Sequence, residues 1–139
     1  DGTLSNNLYH KLARKIRVHL LKLKPEIVIT FEPRGVSGHI DHVTVSLVTS
    51  FVVQKLKFVR EVWQFARLEK YSRSIKDYFI YFPPGYRRSQ IQKIVDISDV
   101  WNKKIEAMRA HKSQLHDVER ILKLQSNQPK EEYFLVKKI

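Results

Sequence analysis

The chain has 139 residues and a formal net charge of +12, with 42% hydrophobic and 29% charged residues. These proportions exclude intrinsic disorder, and the length favours one domain with its own core. Cysteine is absent, which excludes disulfides and thiolate metal sites, so any metal would need His, Asp or Glu ligands. The sequence also lacks the run of roughly 18 apolar residues that a transmembrane helix needs, and we expect a cytoplasmic protein.

The first predicted elements are a helix and a buried strand. Apolar residues recur at helical spacing over residues 4–24, and Pro25 marks the end of this pattern. The next segment, EIVITF (26–31), is rich in β-branched residues and predicts a buried strand. A helix followed by a buried strand is half of an α/β repeat, which favours a parallel sheet.

Residues 32–38 predict a loop, and residues 39–56 predict a helix that begins near Ser37 or Asp41. The composition of VTVSLVTSFVV (43–53) also suits a strand, but its length and lack of internal Gly or Pro favour a buried helix. Its expected apolar face comprises Val43, Leu47, Val48, Val52 and Leu56.

The remainder of the chain predicts further strands and helices. Strands are expected over residues 60–68, 77–82, 92–98 and 131–139, and helices from about Ser98 and over 113–124.

The net charge of +12 suits nucleic acid, an anionic membrane surface or an acidic substrate. The basic residues are dispersed along the chain, which is more typical of solubility than of a binding stripe. A basic binding module is therefore the alternative interpretation, with nucleic acid as the less favoured partner.

The segment GHIDH (38–42) carries the candidate chemistry. On a helix, His39 and His42 would share one face, and glycines at 35 and 38 allow a tight turn beside them. Imidazole is a good zinc ligand, and Asp41 is a carboxylate that could support it. The same residues could be surface histidines near a helix start, with Asp41 acting on the helix dipole. Two histidines are also fewer than the three protein ligands that catalytic zinc usually takes.

Three landmarks in this order resemble the PIG-L/LmbE-like zinc-dependent N-acetylglucosaminyl de-N-acetylases. They are DGTL (1–4) ahead of a long helix, the strand and loop PEIVITFEPRGVSGHIDH (25–42), and KKIEAMRAHKSQ (103–114). The resemblance implies a partial Rossmann-like α/β fold, with a mostly parallel sheet flanked by helices. It also implies removal of acetyl groups from N-acetylated amino sugars with Zn²⁺ as the cofactor.

The resemblance also implies roles for individual residues. His42 would be a zinc ligand, and His39 would protonate the leaving amine or stabilise the tetrahedral oxyanion. Asp41 would orient His39 and tune its pKa. His111 would be a neighbour of the active site, although a structural histidine at a helix end is an equal alternative.

One family motif, A-H-P-D-D, is not found in residues 1–139. In the family it supplies two further zinc ligands and the general base. We therefore expect residues 1–139 to be a single domain that forms the C-terminal portion of such an enzyme. The isolated chain should bind zinc weakly and turn over little substrate. A catalytically silent scaffold is an open alternative to the enzyme. A second copy of the chain is an open candidate for its partner, in a homo-oligomer.

Overall fold

The structure, a computed structural model of the chain, describes residues 2–4, 9–72 and 81–139. Its contacts divide the chain into two compact units, the first comprising Asp1–Lys93 and Tyr133–Ile139 and the second Ile94–Glu132. Most of the predicted strand over residues 77–82 lies outside the described residues. The assignment of the chain to one domain stays a prediction.

The described residues form an α/β fold, which confirms the predicted class. The helices are α1 (Tyr9–Leu23), α2 (Gly35–Gly38), α3 (Ile40–Val53), α4 (Glu69–Ser72), α5 (Trp101–Arg109) and α6 (Leu115–Gln125). The strands are β1 (Ile27–Phe31), β2 (Glu61–Ala66), β3 (Lys93–Asp96) and β4 (Glu131–Lys138). The sheet has the order β1-β2-β4-β3 and is mixed, because β1 and β2 run parallel while β2 and β4 run antiparallel. Among the described residues, no helix has the length and apolar character needed to cross a bilayer.

The core of the first unit lies between the sheet and helices α1 and α3. Val28 of β1 and Val62 of β2 face this core, where they meet Val52 and Val53 of α3. Val53 is fully buried. Burial of such a side chain contributes on the order of 1.5–3 kcal/mol, so this cluster fixes how α3 lies on β1.

Helix α1 follows its predicted pattern at three apolar positions and departs from it at its last residue, while Leu4, also expected in the helix, lies in a turn. Leu12, Ile16 and Leu20 pack against the core as expected. Leu23, by contrast, is 72% exposed because it is the last residue of the helix. Lys24 then adopts a positive φ of 47°, and its N–H closes the last turn on the Leu20 carbonyl, so the chain turns toward β1 at Pro25 as predicted.

The ambiguous segment forms a helix, α3, but its buried face is rotated from the predicted one. Val48 and Val52 are buried as expected, whereas Leu47 is 63% exposed. The core instead receives the short polar side chains of Thr44 and Ser46. The rotation leaves an apolar residue at the surface.

The second unit contains α5 and α6. The Arg109 guanidinium donates to both carboxylate oxygens of Glu119, at 2.8 and 3.2 Å, and so links the two helices. Lys104 forms an ion pair with Glu132. A 3₁₀ turn precedes α5, and the Ser98 N–H at its start donates to the Asp96 carboxylate.

Candidate functional site

A buried carboxylate organises the loop that leaves β1. Glu32, directly after the strand, is only 1% exposed. It accepts hydrogen bonds from the backbone N–H of Arg34 at 2.9 Å, the backbone N–H of Val36 at 2.5 Å and the Tyr86 hydroxyl at 2.6 Å. The sequence predicts no special role for Glu32 within the loop of residues 32–38. Its position directly after β1 and ahead of a glycine-containing turn is the feature that could have identified it. The predicted burial of β1 holds for only one of its faces, because Ile29 is 61% exposed.

The loop held by Glu32 has a strained backbone. Gly35 has φ +70°, and a Cβ there would lie 2.9 Å from Val43 Cγ2, so only glycine fits. Val36 has φ 64° and ψ −49°, a conformation that costs a β-branched residue on the order of 1–3 kcal/mol. The bond from the Val36 N–H to Glu32 offsets part of this cost.

The strained turn directs one carbonyl at the ring of His42. Nδ1 of His42 lies 3.0 Å from the Gly35 carbonyl oxygen. A carbonyl can only accept, so Nδ1 carries the proton and the lone pair is on Nε2. The ring also stacks on Phe31 with a centroid distance of 4.0 Å. Burial lowers the pKa of His42, although the hydrogen bond to Gly35 and the charge of Asp41 oppose this effect. A neutral imidazole fixed in this way has the form that ligates zinc.

In His39 the roles of the two ring nitrogens are the reverse of those in His42. It is the N-cap residue of α3, and its Nδ1 accepts the backbone N–H of Asp41 at 3.2 Å. The ring proton of the neutral form is therefore on Nε2. The rings of His39 and His42 lie 5.0 Å apart between centroids, as their spacing in the sequence predicts. Neither Ser37 nor Asp41 caps the helix, because His39 does so.

The Asp41 carboxylate joins two segments that are distant in sequence. It accepts the backbone N–H of Gly2 at 2.6 Å and that of Leu4 at 3.1 Å. Desolvation acts to raise the pKa of Asp41, but these two bonds and the nearby His39 outweigh it, so the pKa is lowered. The DGTL and GHIDH motifs thus meet at one carboxylate.

His111 belongs to the second unit. It follows α5 at the start of a 3₁₀ turn, and its side chain is exposed. Its backbone N–H donates to the Met108 carbonyl, which suits the structural alternative of a histidine at a helix end.

The donor chemistry fits one zinc ligand within the described ranges. His42 presents Nε2 in the right tautomer, and its Nδ1 is oriented by a carbonyl as in known zinc sites. Across residues 2–4, 9–72 and 81–139, no group of three His, Asp or Glu side chains is arranged to hold a metal ion. His42 is therefore suited to be one ligand of a zinc ion, and the described residues alone do not complete a set of zinc ligands.

Comparison with known proteins gives distant relatives. No family model matches the chain. The chain is 29% identical over 112 residues to 1D-myo-inositol 2-acetamido-2-deoxy-alpha-D-glucopyranoside deacetylase of Corynebacterium glutamicum (strain R), a match that covers 76% of this chain and 37% of the relative. It is 28% identical over 105 residues to the protein of the same name from Mycobacterium sp. (strain JLS), covering 66% of this chain and 34% of the relative. The chain thus spans about a third of the length of the curated relatives that it matches.

Proposed function

We propose that this chain contributes to the active centre of a zinc-dependent hydrolase that removes acetyl from N-acetylated amino sugars. The single observation that carries the proposal is the pair of adjacent histidine rings with opposite tautomers. Such a pair offers one lone pair and one N–H donor side by side. The deacetylase name of the distant relatives supports the same reaction class and the sugar substrate.

In this proposal, His42 is the zinc ligand that the described residues provide. Its Nε2 lone pair is free to coordinate because the Gly35 carbonyl holds the Nδ1 proton. When bound, a zinc ion would supply a water of lowered pKa and a Lewis acid for the acetyl carbonyl. The stacking of His42 on Phe31 keeps the ring in one orientation and shields it from solvent.

His39 acts as a hydrogen-bond donor toward the reacting amide. Amide hydrolysis passes through a tetrahedral intermediate with a negatively charged oxygen, and a fixed N–H donor stabilises that charge. The Nε2–H of His39 is such a donor, since the backbone N–H of Asp41 occupies Nδ1. This favours the oxyanion role over protonation of the amine, which would require the imidazolium form.

Asp41 supports His39 through its backbone N–H, which orients the ring. Its carboxylate is hydrogen-bonded to the Gly2 and Leu4 amides, so it is suited to holding the site together. The general base would come from outside these residues, as the family resemblance implies.

The proposal is tested by metal content and acetate release in the native protein. His42→Ala should lose zinc, whereas His39→Ala should keep zinc and lose about 10²–10³-fold in turnover. His39→Gln retains an amide donor and should recover part of the rate if His39 stabilises an oxyanion. The exposed His116 of α6 gives a matched control, and His116→Ala should change neither measurement.

Two results would contradict the proposal. Equal zinc loss in His39→Ala and His42→Ala would overturn the division of roles. Wild-type protein that neither binds zinc nor releases acetate would support the catalytically silent scaffold instead. Sequencing the coding DNA ahead of Asp1 separates these outcomes further, because an A-H-P-D-D segment upstream is required for the enzyme.

A further inference from the structure

A groove runs between α1 and α3 on the outer surface of the first unit. One end is a cleft of about 300 Å³, whose lining includes Tyr9, Leu47 and Phe51. Phe51 also lines an adjoining cleft of about 420 Å³. Leu47 is 63% exposed and Phe51 is 52% exposed. The groove thus has an apolar end that is exposed to solvent and is not covered by the packing of the first unit.

The other end of the groove is basic. Arg14 and Arg17 of α1 and Lys55, just after α3, line the larger cleft. The Lys55 Nζ lies 4.2 Å from the centre of the Phe51 ring, so cationic and apolar groups are in direct contact. Of the described residues, no Asp or Glu lines either cleft. Within the described ranges, none of these three cations forms an ion pair.

The mixture of cationic and apolar groups continues around α1. The helix holds five Lys or Arg residues and no Asp or Glu, and all five are exposed. Between them stand Val18, which is 58% exposed, and Leu21, which is 42% exposed. The surface that combines exposed cationic and apolar side chains is therefore larger than a groove that would hold a single peptide or a small ligand.

We propose that this surface, the α1–α3 face, docks on a lipid bilayer that contains anionic phospholipids. A helix that carries exposed cations together with exposed aliphatic and aromatic residues is suited to the membrane interface, where headgroups attract the charges and the acyl boundary takes up the apolar side chains. A nucleic acid would use the cations but would gain nothing from Leu47, Val18 or Leu21. The charge and the apolar exposure together therefore favour the bilayer.

Vesicle sedimentation with the whole chain tests the proposal. The chain should sediment with vesicles of phosphatidylcholine and phosphatidylserine, and much less with vesicles of phosphatidylcholine alone. The double substitution Arg14→Glu and Arg17→Glu should weaken binding on the order of thirtyfold or more, because each cation near an anionic surface contributes roughly a factor of five. Phe51→Gln should weaken binding by roughly fivefold.

Matched controls lie in the second unit. Lys103→Glu with Lys112→Glu makes the same change in net charge at exposed positions, and Val100→Gln removes a side chain that is 50% exposed. Both controls should bind vesicles like the wild type. Circular dichroism and thermal melting establish that each variant is folded before binding is compared.

Three outcomes would overturn the proposal. The first is no sedimentation of the wild type with anionic vesicles. The second is equal loss in the α1 and control charge variants, which would mean that only net charge matters. The third is unchanged vesicle binding by Phe51→Gln together with tight binding of the wild type to a duplex oligonucleotide, which would assign the face to nucleic acid.

Discussion

The Tyr86 hydroxyl donates a hydrogen bond of 2.6 Å to the Glu32 carboxylate, although 54 positions separate the two residues. The Arg34 guanidinium covers the Tyr86 ring at 4.0 Å from its centre and also lies 3.4 Å from Glu32. A negative charge that would otherwise be costly to bury is thus neutralised and fully hydrogen-bonded. Because Glu32 also holds the backbone of Arg34 and Val36, this cluster supports the turn beside His42.

The first prediction concerns the stability that this bond provides. Tyr86→Phe should lower the free energy of unfolding by about 1–3 kcal/mol, because a buried carboxylate loses one of its donors. Urea denaturation followed by circular dichroism measures the change. Tyr81→Phe is the matched control, since Tyr81 is 65% exposed, and it should stay within about 0.5 kcal/mol of the wild type. Equal effects of the two substitutions would contradict the assigned bond.

The same residue gives a pH dependence. Burial, together with the hydrogen bond to Glu32 and its charge, raises the pKa of Tyr86 to about 12 from a usual value near 10. The folded state therefore keeps this proton longer than the unfolded state does. The resulting stability is fully present below about pH 10 and is lost as the pH rises toward about 12. In that range, the wild type should lose stability more steeply than Tyr86→Phe, and parallel curves from urea titrations would count against the prediction.

The sequence identified the elements of the fold because periodicity reports burial. Leu12, Ile16 and Leu20 recur on one face, and that face meets the core. The rings of His39 and His42 are adjacent as expected, although His39 is the N-cap residue and does not share a helix face with His42. These features depend on local geometry, which a helical or extended backbone repeats in a known way.

The features that the sequence did not predict depend on contacts between segments that are distant in the chain. One donor to the buried Glu32 carboxylate, the Tyr86 hydroxyl, comes from 54 positions away, and no local sequence pattern predicts this pairing. Leu47 was expected to face the core but is 63% exposed, whereas Thr44 is buried, and hydrophobic periodicity does not predict burial of a polar residue. His39 was considered for catalysis and not as a cap, since Ser and Asp are the usual capping residues.

The rings of His39 and His42 should have opposite tautomers in solution. A long-range ¹H–¹⁵N correlation spectrum recorded without metal should show the proton of His42 on Nδ1 and that of neutral His39 on Nε2. The reason is that a carbonyl holds one Nδ1 and an N–H group holds the other. The exposed His116 serves as the reference for an unconstrained ring. The same tautomer in His39 and His42 would contradict the hydrogen bonds on which their proposed roles depend.

Zinc added to the same sample gives a separate prediction. It should shift the Nε2 resonance of His42 more than either nitrogen of His39, because only His42 presents a lone pair at Nε2. Gly35→Ala should weaken this response, since a Cβ there would lie 2.9 Å from Val43 Cγ2 and displace the carbonyl that orients His42. Retention of the full response in Gly35→Ala would mean that the turn does not control the ring.

The carboxylate of Asp41 should determine whether the amino-terminal segment stays on the site. Its lowered pKa reflects the bonds from Gly2 and Leu4 that outweigh its desolvation, so this contribution to stability is present above a pH of about 4 and is lost as the pH falls below it.

Asp41→Ala removes both acceptors but keeps the backbone N–H that orients His39. The Leu4 amide should then exchange its hydrogen faster, while the His39 tautomer persists. Asp41→Asn keeps one acceptor oxygen and should give intermediate exchange. If the Leu4 amide exchanges at the wild-type rate in Asp41→Ala, the carboxylate does not hold the amino-terminal segment. If the proton of neutral His39 leaves Nε2 in that variant, the carboxylate, and not the backbone N–H, orients the ring.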